Sequence, residues 1–392
     1  MSEFRTIREL CSVVVDCPHS TPKWTTSGKI VVRNNNIKHG RIDLSSPSYT
    51  DEEHFAQRIK RAKPQPGDII ITREAPIGDV GMIPENTECC LGQRMVLLRA
   101  DQSVCDNFYL LYSLQSLYVQ HQISWSEGTG TTVSNLRIPH LEQIQIPYLP
   151  IGQQMKISSV LRSLEEKIEN NRKLNDNLYE MVNAYYTSLF KDVECEMTTI
   201  GNYAERIYSG GTPTTSNAAY WGGAFGWFSS GETRNRFVIS TEKSITQTGI
   251  DNSSTKLAAK HDIVMASAGQ GFTRGQTSML LIDTYVNQSV IVIHADRKIL
   301  PYLFWNLANR YEELRAISDS SSIRGSLTTK MIAAFEVPLA NNDVIQTFSD
   351  FAWAVIPQIE NNLLENERLA ALRDLLLPKL MSGEIDVSAV QL

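Results

Sequence analysis

The chain has 392 residues, a hydrophobic content of 42% and a formal net charge of −6 at pH 7, which suits two or three packed domains. It contains no run of about 18 apolar residues and opens without a signal peptide, so the sequence argues against a membrane protein and predicts a soluble, cytoplasmic one. The six cysteines form no CxxC pair and no histidines cluster. We therefore expect reduced thiols, with neither a zinc site nor a disulfide framework.

The negative charge is concentrated at the end of the chain. Residues 341–392 contain three basic and eight acidic side chains, whereas the other segments are close to neutral. A near-neutral domain can still gather basic groups on one face that meets phosphate. Charge alone neither supports nor excludes a nucleic-acid partner.

Residues 1–148 are the first predicted domain. The runs Lys29–Val32, Asp68–Thr72 and Arg94–Leu98 are short, apolar and bounded by turn residues, as the strands of a compact α+β domain are. Residues Asn107–His121 instead follow a helical pattern. The apolar face of this helix would be formed by Phe108, Leu111, Leu114, Leu117 and Tyr118.

Residues 149–195 are a predicted helical spacer with a heptad pattern. A helix over Ile151–Phe190 would be about 60 Å long at 1.5 Å per residue. Its core-facing positions are Leu161, Leu164, Ile168, Asn171, Asn175, Leu178, Val182, Tyr185 and Leu189.

Residues 196–340 are a second predicted domain that repeats the first. Thr21-Pro22 recurs as Thr212-Pro213, and Asp68-Ile69 recurs as Asp262-Ile263. Shared order at a nearly constant offset indicates tandem duplication. The predicted elements are strands at Gly226–Phe228, Asp262–Met265 and Ser289–Ile293 and a helix over Pro301–Ile317.

Residues 341–392 are a C-terminal helical region that repeats the spacer. Asn362 and Asn366 stand at the heptad positions of Asn171 and Asn175, whereas Arg373 interrupts the apolar stripe. Buried asparagines fix the register of paired helices at a cost in stability. The sequence therefore predicts an antiparallel intramolecular coiled coil that approaches twofold symmetry. The alternative is that each stripe packs on its own domain.

Two prolines, Pro357 and Pro378, fall within this C-terminal region. Proline lacks an N–H group and clashes with the preceding helical turn. We expect these two residues to kink the second helix or to bound it.

The sequence contains none of the common catalytic motifs. The glycine-rich stretch Gly269–Gly275 has neither the spacing nor the lysine of a phosphate-binding loop, and no HExxH or GxSxG motif is present. Asp68 and Glu74 could suggest a metal-dependent nuclease, but the repeat places Ala268 where Glu74 stands. We interpret these two carboxylates as surface charge and predict no catalytic and no metal-binding residues.

Polar and small loop residues are the candidate DNA contacts. Gly, Ser and Thr loops let backbone N–H groups approach phosphate, while Arg, Gln and Asn can form bidentate bonds to base edges. In the first domain the candidates are His19, Ser20, Thr21, Lys23, Arg73, Gln93, Arg94, Thr129, Thr131, Asn135 and Arg137. In the second they are Thr212, Ser267, Gln270, Arg274, Gln288, Ser320 and Arg324. Each alone is typical of a turn or a surface ion pair, but their repetition at matching places favours a binding face.

With these residues in view, the chain resembles the specificity subunit of type I restriction-modification systems over essentially its whole length. Three stretches carry the likeness to the target-recognition domains of that family: Asp16–Pro22, Gly67–Gly78, and Ser209–Pro213 with Tyr220–Gly223. The stretches Pro150–Gln154 and Leu380–Ile385 resemble its helical regions.

The resemblance implies a noncatalytic reader of double-stranded DNA with a bipartite target, one recognition domain for each half-site. Methyltransferase subunits would dock on the helical regions and supply S-adenosylmethionine for adenine methylation. A motor-nuclease subunit would add cleavage dependent on ATP and magnesium, and the reader itself would need no cofactor. Lys23 faces Thr214 in the repeat and Arg94 faces Ser289, so we expect the two half-sites to differ.

Two other functions fit parts of the sequence. A restriction or modification enzyme in one chain would act without partners, but its motifs are missing. A two-headed coiled-coil scaffold for protein or glycan ligands would bind without the steep salt dependence of phosphate contacts.

Overall fold

The computed structural model describes residues 3–38, 40–125, 135–190, 196–269, 272–320 and 325–390. These residues divide into two compact units. Unit 1 comprises Met1–Ile168 and Arg368–Leu392, and unit 2 comprises Glu169–Glu367. The two longest helices each contribute one part to unit 1 and another to unit 2.

Unit 1 is an α+β unit. Its strands are β1 (Glu3–Thr6), β2 (Cys11–Asp16), β3 (Lys29–Val32), β4 (Ile37–Lys38), β5 (Gly40–Ile42), β6 (Ser48–Thr50), β7 (Ile69–Thr72), β8 (Val80–Met82), β9 (Cys89–Leu91), β10 (Met95–Ala100) and β11 (Gln145–Tyr148). Its helices are α1 (Ile7–Leu10), α2 (Glu52–Arg58), α3 (Asn107–Gln115), α4 (Leu117–Trp125), α5 (Ile138–Gln143) and the first part of α6 (Ile151–Phe190). A 3₁₀ turn spans Asn34–Asn36.

The main sheet of unit 1 has the strand order β2-β10-β7-β8-β5-β4. A second sheet has the order β6-β3-β9, and β1 pairs with β11. Strand β7 is buried along its whole length, as an Ile-rich strand inside a covered sheet should be. The predicted strands at Lys29–Val32, Asp68–Thr72 and Arg94–Leu98 are confirmed as β3, β7 and β10.

The predicted helix over residues 107–121 is two helices, α3 and α4. Ser116 is extended between them, and its Oγ donates to the carbonyl of Ser113 while accepting from the N–H of Val119. One serine thus satisfies groups at the end of α3 and the start of α4. The break exposes Leu117 and Tyr118, so the prediction that they continue the apolar face of one helix was wrong.

Unit 2 repeats this scheme. Its strands are β12 (Met197–Thr199), β13 (Ala204–Ser209), β14 (Trp221–Phe228), β15 (Phe237–Val238), β16 (Lys243–Ile245), β17 (Lys256–Ala258), β18 (Ile263–Ala266), β19 (Thr277–Leu280), β20 (Thr284–Val286), β21 (Val290–Ala295) and β22 (Glu336–Pro338). Its helices are α7 (Ile200–Tyr203), α8 (Gln247–Asp251), α9 (Leu300–Asn309), α10 (Tyr311–Ser320), α11 (Thr329–Ala333) and the first part of α12 (Asn342–Met381). Short 3₁₀ turns span Ala218–Tyr220 and Ser230–Arg234.

The sheets of unit 2 follow the topology of unit 1. Their orders are β13-β21-β18-β19-β15 and β16-β14-β20-β17, with β12 paired to β22. The pairing of β14 with β20 is parallel, as is that of β3 with β9. The pairings β15 with β19 and β5 with β8 are also both parallel. The duplication in the sequence is therefore a duplication of fold. The predicted helix over residues 301–317 is again split, here at Arg310 between α9 and α10.

Helices α6 and α12 are each 40 residues long. The observed span of α6 is the predicted one. Helix α12 continues through Pro357 and Pro378, so the expectation that these prolines bound it was wrong. Val355, Ile356 and Ile359 are buried beside Pro357 in the core of unit 2, and this burial offsets the loss of one backbone hydrogen bond.

The two long helices run antiparallel within unit 2. Asn171 of α6 contacts Asn366, Asn175 contacts Asn362, and Tyr185 contacts Phe351 with ring centroids 4.9 Å apart. Residue numbers rise along α6 as they fall along α12, which confirms the predicted antiparallel coiled coil within one chain.

The alternative packing is also present for part of each helix. Ile157 and Leu161 of α6 lie in the core of unit 1, together with Leu380 and Met381 of α12. Phe348 and Ala352 of α12 lie in the core of unit 2. The heptad positions of each helix therefore pack partly against the other helix and partly in the cores of the two units.

Within the described ranges, no helix is both long and apolar enough to cross a membrane. Five cysteines, Cys11, Cys17, Cys89, Cys90 and Cys105, carry free, buried thiols. Cys195 lies outside the described residues.

Candidate nucleic-acid interface

Several candidate residues of unit 1 meet where β2, β7 and β10 end or begin. The N–H of Arg73, just after β7, donates to the carbonyl of Arg94 at 2.8 Å. The N–H of Leu136 donates in turn to the carbonyl of Arg73 at 3.0 Å. Residues far apart in sequence are thus held together by backbone hydrogen bonds.

The guanidinium of Arg73 is used inside the protein. Its Nη1 lies 2.8 Å from Oδ2 of Asp16, its Nη2 donates to Oδ1 of Asn135 at 3.1 Å, and its Nε donates to the carbonyl of Leu136 at 2.8 Å. Only 12% of the side chain is exposed. Arg73 therefore fastens residues 135–136 to the strand ends, and this leaves it little capacity for a base.

Arg94 lies on the solvent-exposed side of the same cluster. Its side chain is 57% exposed and its Nε lies 3.3 Å from Oε2 of Glu74, whose other oxygen accepts from Nδ2 of Asn135 at 2.7 Å. The backbone of Arg94 has a φ of 64°, in the left-handed region that non-glycine residues seldom adopt. Strained backbone of this kind is often retained at functional sites.

The loop before Pro22 borders this cluster. Nε2 of His19 lies 3.0 Å from Oδ2 of Asp16, and the side-chain amide of Gln93 donates to the carbonyl of His19. His19, Ser20 and Thr21 are exposed. We call residues 18–23, with their equivalents 209–214 in unit 2, the Thr-Pro loop.

Two further basic candidates are exposed. Nζ of Lys23, within the Thr-Pro loop, lies 3.2 Å from Oδ2 of Asp51 at the start of α2. Arg137 precedes α5 and follows residues 135–136. The structure thus brings His19, Gln93, Arg94 and Asn135 into one network and leaves Lys23 and Arg137 on flanking surface.

Unit 2 has the same backbone arrangement with different side chains. The N–H of Ser267 donates to the carbonyl of Ser289 at 2.9 Å, and the N–H of Leu327 donates to the carbonyl of Ser267 at 2.8 Å. These bonds match those of Arg73 in unit 1. Ser267 is buried, so its hydroxyl does not present a free surface group.

Arg274 has the fastening role in unit 2 that Arg73 has in unit 1. It donates to the carbonyl of Gly325 and pairs with Asp319, and only 13% of its side chain is exposed. On the Thr-Pro loop, the hydroxyl of Thr212 donates to Oε1 of Gln288. This contact parallels that between Gln93 and His19.

Four candidates, Thr129, Thr131, Gln270 and Arg324, lie outside the described residues. Ser320 is the last residue of α10.

The repeated aspartate of the sequence ladder has a structural role in each unit. Asp68 accepts two hydrogen bonds from Arg99, at 2.8 and 2.7 Å, and Oδ1 of Asp262 lies 2.6 Å from Nδ1 of His294. Both aspartates are buried, and burial raises the pKa of Asp262. The interpretation of Asp68 as surface charge was therefore wrong.

Arg58 is not among the residues predicted from the sequence. This residue ends α2, is buried, and donates to the carbonyls of Pro18, Ser20, Leu91 and Gly92. A single arginine at the end of a short helix gives no sequence signal, since its importance depends on carbonyls more than thirty positions away.

The arrangement offers exposed hydrogen-bond donors and basic groups held by a rigid network. Across the described part of the chain, no three His, Cys, Asp or Glu side chains are grouped as a metal site. Such a surface is suited to binding phosphate and base edges.

Comparison with known families decides the class of this protein. The model of the type I restriction modification DNA specificity domain matches twice, at residues 2–180 and 193–366. The chain belongs to this family. Specificity subunits are noncatalytic, with catalysis in other subunits, which confirms the prediction that this chain is not an enzyme.

Individual specificity subunits are distant relatives. The HindI specificity subunit of Haemophilus influenzae is 24% identical over 194 residues, 48% of this chain and 41% of the relative. The MjaIX specificity subunit of Methanocaldococcus jannaschii is 20% identical over 342 residues, 82% of this chain and 78% of the relative. A third, the putative MjaX specificity subunit of the same archaeon, is 30% identical over 111 residues, 28% of this chain and 25% of the relative. The chain thus matches well under two thirds of the length of the MjaX and HindI subunits.

The fold is that of a solved specificity subunit. The crystal structure of the S subunit from M. genitalium aligns with a TM-score of 0.61 at 18% identity, covering 97% of this chain and 96% of the other. The predicted fold class, two α+β domains with long paired helices, is confirmed by this likeness and by the family match.

Proposed function

We propose that this chain is the sequence-reading subunit of a type I restriction-modification complex. Each unit would read one half of a bipartite DNA target, and the chain would direct adenine methylation and ATP-dependent restriction by partner subunits. The observation that carries the proposal is the duplication: two copies of the specificity domain place polar loop residues at the same strand ends in both units.

The proposed contacts of unit 1 are the exposed or partly exposed candidates of its cluster and of the flanking surface. Arg94, His19, Gln93, Lys23 and Arg137 would meet DNA, with the fork of Arg94 suited to the O6 and N7 atoms of guanine. Arg73 would hold these groups in place, since its own donors are already bound.

The proposed target is asymmetric. In unit 2 the residue equivalent to Arg94 is Ser289, and the one equivalent to Lys23 is Thr214. A short hydroxyl cannot reproduce the bidentate bond of a guanidinium. The two units would therefore select different half-sites.

The long helices would dock the methyltransferase subunits. Leu174 and Met181 lie one heptad apart on α6, and both are exposed, at 43% and 45%. The duplication repeats Met181 as Leu372 of α12, which is also exposed, as is its neighbour Leu375. Apolar residues spaced one heptad apart on the outside of a coiled coil suit a further helix.

The chain itself would bind no cofactor. S-adenosylmethionine would be held by the methyltransferase subunits, and ATP with magnesium by the motor-nuclease subunits. The complex would act in the cytoplasm, on double-stranded DNA.

Co-expression with the methyltransferase subunits in a host free of DNA methylation tests this proposal. Sequencing of modified bases across the host genome should reveal a split motif with a methylated adenine in each half. The motif should disappear when this chain is omitted. A stable complex that binds protein or glycan ligands but shows no DNA preference and no salt dependence would contradict the proposal.

A further inference from the structure

In unit 2 the Thr-Pro loop is hydrogen-bonded directly to the last residue of β20 and to the residue that follows it. The N–H of Gly211 donates to the carbonyl of Val286 at 3.1 Å, and the N–H of Gly210 donates to that of Asn287 at 3.3 Å. A Cβ atom at Gly210 would overlap the Val286 carbonyl oxygen. Gly210 therefore permits this close approach, while a Cβ atom at Gly211 would overlap Ser254.

In unit 1 the equivalent positions carry side chains. Gly210 and Gly211 are replaced by His19 and Ser20, while Val286 and Asn287 correspond to Leu91 and Gly92.

In unit 1 the guanidinium of Arg58 lies between the Thr-Pro loop and the Leu91–Gly92 segment. The equivalent segments of unit 2 are hydrogen-bonded to each other directly. Nε of Arg58 donates to the carbonyl of Leu91 at 2.8 Å and its Nη2 to that of Gly92 at 2.8 Å. On the other side, its Nη1 donates to the carbonyl of Ser20 at 3.0 Å and its Nη2 to that of Pro18 at 3.3 Å. The same two segments are thus joined through one side chain.

The chemistry of arginine suits this position. A planar fork of five N–H donors can serve several carbonyls at once, which the compact ammonium of lysine cannot do in the same geometry. Burial lowers the pKa of Arg58, but a guanidinium remains charged at neutral pH. Helix α2 also contacts the far end of the loop, where Asp51 pairs with Lys23.

We infer that Arg58 is a positioning residue for recognition by unit 1, holding the Thr-Pro loop and the Leu91–Gly92 segment in the spacing at which His19 and Gln93 are presented to DNA. It takes the place of the glycine contacts of unit 2. This inference rests on the proposed function, because it assigns Arg58 a part in reading the half-site of unit 1.

The test is half-site selection by the assembled methyltransferase complex from a pool of DNA randomised in one half-site at a time. Arg58→Met keeps the length and apolar stem of the side chain but removes the donors, and Arg58→Lys keeps the charge without the fork. Lys60→Met, at an exposed position just after α2, is the matched control. The unchanged half-site of unit 2 is an internal control in every sample.

We expect Arg58→Met and Arg58→Lys to lose about 5- to 150-fold in discrimination at the half-site of unit 1, the equivalent of one base contact. Discrimination at the half-site of unit 2 should stay within about twofold of wild type, as should both half-sites in Lys60→Met. If Arg58→Met does not fold, the discrimination measured for Arg58→Lys tests the inference.

Two results would overturn the inference. One is unchanged selection at both half-sites in a folded Arg58 variant. The other is an equal loss at both half-sites together with a lowered melting temperature, which a merely structural residue would give. Failure of the proposed function would appear differently, as a wild-type complex that selects no split sequence.

Discussion

Nδ2 of Asn171 lies 3.0 Å from Oδ1 of Asn366, and the duplication repeats this bond in reverse, with Nδ2 of Asn362 2.7 Å from Oδ1 of Asn175. A step of four residues along α6 is matched by a step of four back along α12. The two bonds therefore define one antiparallel register. Asn171 and Asn362 are both buried, which makes each amide costly to leave unpaired.

Loss of one amide should destabilise unit 2. We expect Asn171→Ala to lower the free energy of unfolding by about 1–3 kcal/mol, because Asn366 and Glu365 lose their buried partner. Urea unfolding followed by circular dichroism measures the change. Asn170→Ala, at the exposed neighbouring position, should stay within about 0.5 kcal/mol of wild type.

Replacement of the whole asparagine set should have the opposite effect on stability. Leucine at positions 171, 175, 362 and 366 removes both sides of the two amide–amide bonds together, and the remaining side-chain partners, Glu365 and Gln358, are only partly buried or exposed. We therefore expect stability equal to or above wild type and a less defined register. Cysteine pairs placed for the native register and for a register shifted by one heptad would report this by their crosslinking yields. If only the native pair crosslinks, the asparagines do not set the register.

The arginine that interrupts the heptad stripe has a partner in unit 1. Nη1 of Arg373 lies 3.7 Å from Oε1 of Glu165, whose other oxygen accepts from the hydroxyl of Tyr112 at 3.1 Å. The duplication places Val182 and Ile356 at the equivalent positions, and both are fully buried. A polar pair in unit 1 thus corresponds to an apolar pair in unit 2.

We expect the valine and isoleucine of unit 2 to replace Arg373 and Glu165 in unit 1. Arg373→Val or Glu165→Ile alone should be destabilising, while the double variant should recover part of the loss, with a coupling of about 0.5–1 kcal/mol for a partly exposed pair. Thermal unfolding of the four proteins gives the cycle. The exposed pair Arg162 and Glu166 on the same helix is the control and should couple by about 0.3–0.5 kcal/mol. Additive effects in the first cycle would rule out a pairwise contribution.

Two substitutions of Arg94 should affect DNA recognition equally and stability differently. Arg94→Ala and Arg94→Gly both remove the guanidinium, so we expect the same loss in discrimination at one position of the target, about 1–3 kcal/mol. Glycine tolerates the left-handed backbone of this residue, whereas alanine does not. Arg94→Gly should therefore be about 0.5–1 kcal/mol more stable than Arg94→Ala in urea unfolding. Equal DNA selection by wild type and both variants would exclude Arg94 as a reader.

His294 should limit how strongly the stability of unit 2 depends on pH. Burial raises the pKa of Asp262 above the ordinary value of about 3.9, so the stability that this carboxyl contributes at low pH is lost as pH rises through its folded pKa. In His294→Ala the carboxylate loses its ring partner, and its pKa should rise further. We expect the melting temperature of this variant to fall more steeply than that of wild type as pH rises above the ordinary carboxyl pKa of about 3.9. The double variant with Asp262→Asn should lack this additional slope, and its persistence would assign it to another group.

Hydrophobic periodicity predicted the strands β3, β7 and β10 and the span of α6. Repeated residue order indicated the duplication, and the shared stretches indicated the family. These features depend on residues near one another in the chain or on repeated order, so the sequence displays them directly. Tertiary structure decided which polar groups remain available. Arg73, Arg94 and Arg274 are equivalent as sequence candidates, but only Arg94 is largely exposed, because Asp16, Asn135, Asp319 and two backbone carbonyls occupy the others. Whether a guanidinium is bound within the protein or free for DNA depends on partners brought close by folding, and sequence spacing does not encode that proximity.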